Sequence, residues 1–306
     1  MKKYLLNYCE NFKCIASQCK HTCCAGWEMN IDKASLDIYK NDTSSFSSAL
    51  KKGVNFRKSK FRADKSDRCA FLNDKNLCDI ILNLGEKSLC QVCTDHPRFR
   101  SFFTDRIETG LGFCCEEATR IILSFTDKIQ PILVSDDGIE EELDFNENNV
   151  LTFRSKALEI IQDRTKTIDD RINELLTESR FDSTKKEFST IVKTFLSLER
   201  VDKTWTKKLK VLKNRQLDVQ TQEKYSIVAE QFFVNSIYRH LSDAEDTLWV
   251  RARTIFCVLS WWLILNVIVQ NDLDILDVVR AFSVEVEYSQ KNLNKLYDFA
   301  YKFIKI

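Results

Sequence analysis

Turn-forming residues are scarce in this sequence. Its 306 residues contain six glycines and two prolines, and neither type occurs between Ile139 and Ile306. Those two residues supply most sharp turns, so their absence leaves little room for closely spaced turns and predicts long helices with polar connections. A charge excess is missing too: 46 Lys and Arg stand against 45 Asp and Glu, a formal net charge of +1. The overall balance lacks the basic surplus of a nucleic-acid binder, and no nucleic-acid partner is expected. Long apolar runs are absent as well. The opening Met1-Lys-Lys-Tyr-Leu-Leu stops at Asn7, short of the ~7–15 apolar residues of an export signal, so a cytoplasmic location is expected. Ile255 to Val269 is interrupted by Ser260 and Asn266 and falls below the ~20 residues that span a bilayer. It reads as a central buried helix and not as a membrane span. No GxGxxG turn is present, which disfavours a Rossmann nucleotide site.

Cysteine is what the chain does have. Eleven of its twelve lie in the first 115 residues, and the twelfth, Cys257, stands alone in the apolar run. Thiolates cost free energy to bury unless something positive binds them. A reducing cytosol disfavours disulfides, so the crowding reads as a scaffold for zinc or an iron–sulfur cluster. The groups are Cys14-x4-Cys19-x3-Cys23-Cys24, Cys69-x8-Cys78, Cys90-x2-Cys93 and Cys114-Cys115. Adjacent side chains diverge, so neither Cys23 with Cys24 nor Cys114 with Cys115 is expected to serve one zinc ion. Cys115 opens a predicted helix, whose positive dipole end favours a thiolate.

Composition changes near Asp136-Asp137-Gly138, ahead of Glu140-Glu141-Glu142, and predicts two domains: a cysteine-rich one over 1–138 and a helical one over 139–306. The expected fold is mainly α: an irregular metal-cluster domain with a small β-hairpin, followed by an all-helical bundle of about six helices. In the first domain Asp32 caps a short helix, with Leu36 and Tyr39 inward. Phe99–Phe103 and Ile107–Phe113 alternate as a hairpin, and Glu116–Phe125 is helical. In the second, Thr184-Lys-Lys-Glu187 has the capping-box pattern ahead of Phe188, Ile191, Val192 and Phe195. Asn271 or Asp272 is expected to cap a helix carrying Ile275, Val278, Val279 and Phe282. The longest local basic cluster, Lys203 to Arg215, reads as a solvated helix face over Trp205 and Leu209.

The order of the cysteine segments carries a resemblance. Phe12-Lys-Cys14, Cys19-Lys-His-Thr-Cys23-Cys24-Ala-Gly-Trp27, Cys69-Ala-Phe-Leu72, Leu77-Cys78, Cys93-Thr-Asp-His-Pro97-Arg98 and Cys115-Glu-Glu-Ala-Thr-Arg120 are similar to the opening of flagellin lysine N-methylases. The front half also resembles the broader YkgJ-type cysteine-cluster family. The likeness covers residues 8 to 125, and the helical remainder fits in length and character only. It implies S-adenosylmethionine-dependent methylation of lysine amines on flagellin or a similar surface protein, with an iron–sulfur cluster, 4Fe-4S in type, held by the shared cysteines. By position these are Cys14, Cys19, Cys23, Cys24, Cys69, Cys78, Cys93 and Cys115, more than one four-thiolate cluster needs. Cys9, Cys90, Cys114 and Cys257 have no place in the pattern, and Glu116 stands where the family often has proline. The contiguous CxxxCxxC of the usual radical enzymes that cleave S-adenosylmethionine is absent, because Cys24 follows Cys23 directly.

A lysine amine attacks only when neutral, so a methylase needs a desolvated pocket or a carboxylate to take the proton. Glu108 and Glu117 are the candidates, each with an alternative as an ion-pair partner of Arg98, Arg100 or Arg120. Arg98 and Arg120 are candidates for the carboxylate of S-adenosylmethionine, again with a structural salt bridge as the simpler role. His21 reads as a loop residue or a ligand, His96 as a turn residue and His240 as a favourable charge at a helix C-terminus. Trp27 is expected to pack over the cluster and exclude water. Competing functions are a non-catalytic zinc- or iron-binding interaction module and an electron-transfer or metal-delivery protein.

Overall fold

The computed structural model describes residues 1–185, 187–214 and 219–305. The chain is mainly α, as expected, with fourteen α-helices and six strands among the described residues. The strands are β1 (Lys2–Leu6), β2 (Val54–Asn55), β3 (Lys60–Phe61), β4 (Arg98–Phe102), β5 (Arg106–Leu111) and β6 (Pro131–Asp136). Contacts divide the chain into two compact units, Lys13–Arg98 and Met1–Phe12 with Phe99–Ile306.

The larger unit holds a four-stranded sheet in the order β4-β5-β1-β6. The expected hairpin is β4 and β5, closed by Phe103 and Arg106, which exchange backbone hydrogen bonds of 2.9 and 3.3 Å. The apolar start that stops at Asn7 is a strand: β1 runs parallel to β5 (Lys2 opposite Arg106) and antiparallel to β6 (Leu6 opposite Pro131). Around this sheet the helices bury one continuous core. Its longest element, Thr247–Asn271, is capped by Asp246, which accepts from Leu248 N and Trp249 N, and ends at Asp272 in the left-handed conformation. Seventeen of its residues are buried, Cys257 and Trp261 among them, so it is apolar all round as a central helix must be. By length and composition it could cross a membrane, yet here it is packed among the helices Ser226–His240 and Gln290–Tyr301.

Three local expectations change. The boundary does not fall at 138, because Leu6, Leu111, Phe113, Ile121 and Ile122 are buried in the same core as the downstream helices. Phe113, for example, stacks on Phe232 with ring centroids 5.5 Å apart. The loss of turn residues after Gly138 marks a change of local structure within one core. Nine α-helices, not six, follow residue 138 among the described residues, since short helices joined by polar turns need neither glycine nor proline. Two caps move by a few residues. Asp274, not Asn271 or Asp272, accepts from Leu276 N and Asp277 N. Helix Phe188–Leu196 starts after Glu187, while Thr184 bonds Asp182 and Lys186 lies outside the described residues. Helix Lys203–Lys210 does bury Trp205 and Leu209; Arg215 is outside the described residues.

Buried polar bonds tie the N-terminal segment to the helices. Tyr8 Oη donates to Asn235 Oδ1, Asn235 Nδ2 donates to Leu111 O (3.2 Å), and Leu111 N donates to Tyr8 Oη (3.1 Å). The strand can approach this closely only because residue 110 is glycine: a Cβ there would lie 2.4 Å from the Phe99 ring and 2.9 Å from Tyr8 Oη. Tyr8→Phe strands two buried partners and should cost about 1–3 kcal/mol. Chemical denaturation followed by helical circular dichroism checks this, and unchanged helix stability would restore a boundary near 138.

His240 ends its helix but is no surface charge. Its Nδ1 meets Tyr297 Oη (2.8 Å) and its Nε2 meets Glu287 Oε1 (2.9 Å), all buried. Burial opposes ionisation of Glu287, yet the Arg239 charge and the His240 hydrogen bond hold its carboxyl at about 2. Burial pushes the imidazole below its ordinary value, so the neutral ring donates from Nε2 and accepts from Tyr297. As pH falls below ~6.5 the unfolded chain therefore gains a proton that folded His240 refuses, and stability drops. Melting temperature should decline between about pH 7.5 and 5, and His240→Gln should shrink that slope while lowering stability at the upper end. An unchanged slope would show that another group titrates.

Candidate metal centre

The Lys13–Arg98 unit has its own core, and cysteine is part of it. Cys69 and Cys90 are buried beside Tyr39, Leu50, Phe61 and Phe71, while Cys24, Cys78 and Cys93 pack against the same cluster. Gly53 admits the Phe71 ring, since a Cβ would lie 2.4 Å from it. Local structure places each sulfur. Cys69 N donates to Cys24 O (2.8 Å), and Leu72 bridges to Cys78, which aligns the segments around 24, 69 and 78. Asp32 caps helix Lys33–Asn41 through Ser35 N (2.9 Å), as the sequence suggests, and its second oxygen accepts from Gln91 N (2.8 Å). That one carboxylate joins the first helix to the Cys90–Cys93 turn, where Cys93 N donates to Cys90 O (3.0 Å). Tyr39 Oη adds a second tie, to Ser88 O (2.6 Å).

Cys78, Cys90 and Cys115 are the residues just before helices Asp79–Leu84, Gln91–Asp95 and Glu116–Ser124. Backbone amides aimed at such a position favour thiolate, and those of Ile81 and Ile80 do so at Cys78, though burial wins and raises its pKa. A hydrogen bond from Cys23, helped by Thr22 and the charge of Arg68, pulls Cys24 down to about 7 against its burial. The hydrogen bond between Cys90 and Cys93 lowers the first and raises the second, so Cys93 is the donor. Burial pushes Cys69 up to about 12, and the charges of Cys24, Cys78 and Cys90 push the same way. Cys24, Cys69, Cys78, Cys90 and Cys93 thus act on one another through a poorly solvated core. Five thiols in that setting have the donor chemistry of a soft-metal site. Among the described residues, no three His, Cys, Asp or Glu side chains close on a common point as a formed metal site would.

The remaining sequence candidates fall elsewhere. Cys14 is exposed and accepts from Ala16 N (3.4 Å), and Cys19 Sγ donates to His21 O (3.3 Å). Trp27 stacks on His96 (ring centroids 6.3 Å apart), donates to Cys23 O (2.7 Å) and is 38% exposed. It covers a loop carbonyl and remains open to solvent. His96 is half-buried with an unpartnered Nε2, and burial pushes it down to about 4. Cys9, Cys114 and Cys115 belong to the larger unit; Cys9 Sγ meets Thr109 O (3.7 Å) and Cys114 Sγ meets Tyr288 Oη (2.6 Å). Glu108, also there, is buried in a bidentate pair with Arg154 (2.6 and 2.7 Å). Glu117 holds Arg120 in the same way (2.7 and 2.6 Å), and Arg98 donates to Thr94 O (3.3 Å). Both carboxylates are therefore ion-pair partners, although Arg154 was not among those foreseen for Glu108. Cys90 is the residue that the resemblance omits and the fold brings in. Its signal was the Cys90-x2-Cys93 spacing.

Thiol labelling tests this arrangement without reference to metal. In reducing, anaerobic buffer Cys14 and Cys24 should alkylate first, the one by exposure and the other by its lowered pKa. Cys69, Cys90 and Cys257 should wait for unfolding. Peptide mass spectrometry reads the order, and early labelling of Cys69 or Cys90 would contradict the packed core.

No family model and no solved structure matches the chain. Curated sequences do. The lysine-N-methylase of Salmonella choleraesuis (strain SC-B67) is 28% identical over 125 residues, 38% of this chain and 31% of that protein. The lysine-N-methylase of Salmonella typhimurium (strain LT2) is 28% identical over 124 residues with the same coverage. The flagellar biosynthetic protein FliU of Salmonella muenchen is 27% identical over 125 residues, 38% of this chain and 74% of that protein. The chain thus spans about a third of the length of the two methylases it matches. Over that stretch it is similar to the lysine-N-methylases and FliU, in line with the resemblance carried by the order of its cysteines.

Proposed function

We propose that the chain is a cytoplasmic protein-lysine N-methyltransferase that takes its methyl group from S-adenosylmethionine, acts on flagellin and holds an iron–sulfur cluster. One observation carries the reading: five mutually acting thiols built into the core of a chain similar to lysine-N-methylases. Cys24, Cys69, Cys78, Cys90 and Cys93 are the residues that would hold the cluster, four of them sufficing. Cys14, Cys19 and Cys115, also carried over by resemblance, are given no place in it, while Cys23, whose thiol hydrogen-bonds Cys24, stands beside the five as a further candidate. When bound, such a cluster supplies soft-metal and one-electron chemistry at the thiol-lined core.

In the transfer itself the methyl–sulfur bond of the sulfonium breaks, a bond to the lysine nitrogen forms, and the thioether leaves with the electron pair. The amine must lose a proton to react. Glu108 and Glu117 are committed to Arg154 and Arg120, so neither is offered as its acceptor. Arg120 spends its charge on Glu117 and is likewise not assigned to the donor's carboxylate.

Anaerobic preparation should yield bound iron and acid-labile sulfide. Cys69→Ser and Cys90→Ser should lose iron and melt at lower temperature together, because the metal would close long loops. Cys114→Ser and Cys257→Ser should keep the iron. Incubation with S-adenosylmethionine, a reductant and flagellin should give methyl-lysine by mass spectrometry. Zinc without iron would sink the cluster, and a loaded protein that leaves flagellin unmodified would favour the interaction module.

A further inference from the structure

Residues 51–62 carry six Lys and Arg and no Asp or Glu, a denser block than Lys203–Arg215. The overall charge balance hides it. The Lys13–Arg98 unit has fifteen Lys and Arg against ten Asp and Glu, while the whole chain is at +1. Folding curls this block around a pocket of about 510 Å³. Lys51 comes from the last turn of helix Ser47–Gly53, Arg57 and Lys58 from the turn between β2 and β3, and Arg62 from the residue after β3. Backbone bonds fix the geometry: Arg62 N donates to Gly53 O (2.7 Å), and Lys58 N donates to Asn55 Oδ1 (3.2 Å). Val54 and Phe56 supply an apolar wall.

No acidic residue lines the pocket, and no ion pair or side-chain hydrogen bond to any of the four cations is found among the described residues. The nearby Glu28 is spent on Lys60, although Lys58 also feels its charge. A helix C-terminus accounts for Lys51, whose charge the dipole favours. It does not account for Arg57, Lys58 and Arg62. Like charges gathered round a concave surface repel one another and focus a positive potential into it. A bound anion relieves that repulsion, and arginine forks suit phosphate oxygens.

We propose that this pocket is a binding site for a small ligand bearing two or more phosphate charges, with Arg57 and Arg62 as its forks and Phe56 against its uncharged part. The site is separate from the thiols in role and does not rest on the methyl-transfer reading. Free oligophosphate and nucleoside phosphates share this chemistry, so the test uses inorganic triphosphate, ATP and adenosine. Calorimetry at about 50 mM salt should show triphosphate and ATP binding, weakening steeply as salt rises, with adenosine silent. Tighter binding of ATP than of triphosphate identifies the nucleotide as the source; equal binding identifies the free phosphate. The double variant Arg57→Gln/Arg62→Gln should weaken binding roughly tenfold or more with an unchanged melting temperature, while Lys203→Gln should not. Failure of both phosphates to bind overturns the proposal. So does equal binding by the double variant, or a single-stranded oligonucleotide that binds far more tightly with length.

Discussion

The smaller unit depends on cysteines being asked to serve as core residues. A thiol is a modest hydrophobe and packs well beside Tyr39, Phe61 and Phe71. As a thiolate it would be expensive in the same place, and burial accordingly pushes Cys69 and Cys78 up. Hydrogen bonds between neighbours work the other way at Cys24 and Cys90. The unit thus contains sulfurs held at different readiness to ionise, in one poorly solvated volume. A positive ion binding there would lower the cost of every charge at once, which couples ligand binding to the stability of the whole unit.

The larger unit solves a different problem. A 25-residue apolar helix must be surrounded on all sides, and it packs against Phe145–Ile161, Ile168–Glu178, Lys203–Lys210, Ser226–His240, Ile275–Phe282 and Gln290–Tyr301, in a core shared with the sheet and Glu116–Ser124. Inside that core the buried carboxylates find partners: Glu108 pairs with Arg154, Glu230 with Arg164 and Arg171, and Glu287 with His240, whose other nitrogen meets Tyr297. The first of these pairs consumes Glu108, one of the two carboxylates that the sequence offered as a base. Glu287 closes the π-helical turn Ser283–Glu287, and its carboxylate meets both Arg239 and His240.

Much was legible in the chain before folding. Asp32 announced its helix, the alternation around Thr104-Asp105-Arg106 announced the hairpin, and the apolar run at 255–269 announced a buried helix. Each signal is local, carried by a cap, a period or a run. The order of the cysteine segments was legible too, and it pointed to the relatives that the comparison found. What stayed hidden was pairing. Nothing near Met1 says that β1 lies between β5 and β6, because strand partners are chosen by shape across a hundred residues. The basic block at 51–62 was hidden by averaging, since acidic residues elsewhere cancel it in the total.

The sequence by itself determined that the chain is mainly helical, that its thiols crowd one region, and which family that region resembles. Tertiary structure alone decided that Cys90 joins Cys24, Cys69, Cys78 and Cys93 in one core, and that Cys115 falls in the other unit. It also decided that Glu108 is bound to Arg154, and that residues 1–12 and 99–138 share a core with the downstream helices. The reason is the range of the forces involved. Propensity and periodicity act over a few residues and can be read in order. Burial, charge pairing and thiol–thiol contact depend on distance in space, which the chain acquires only when it folds.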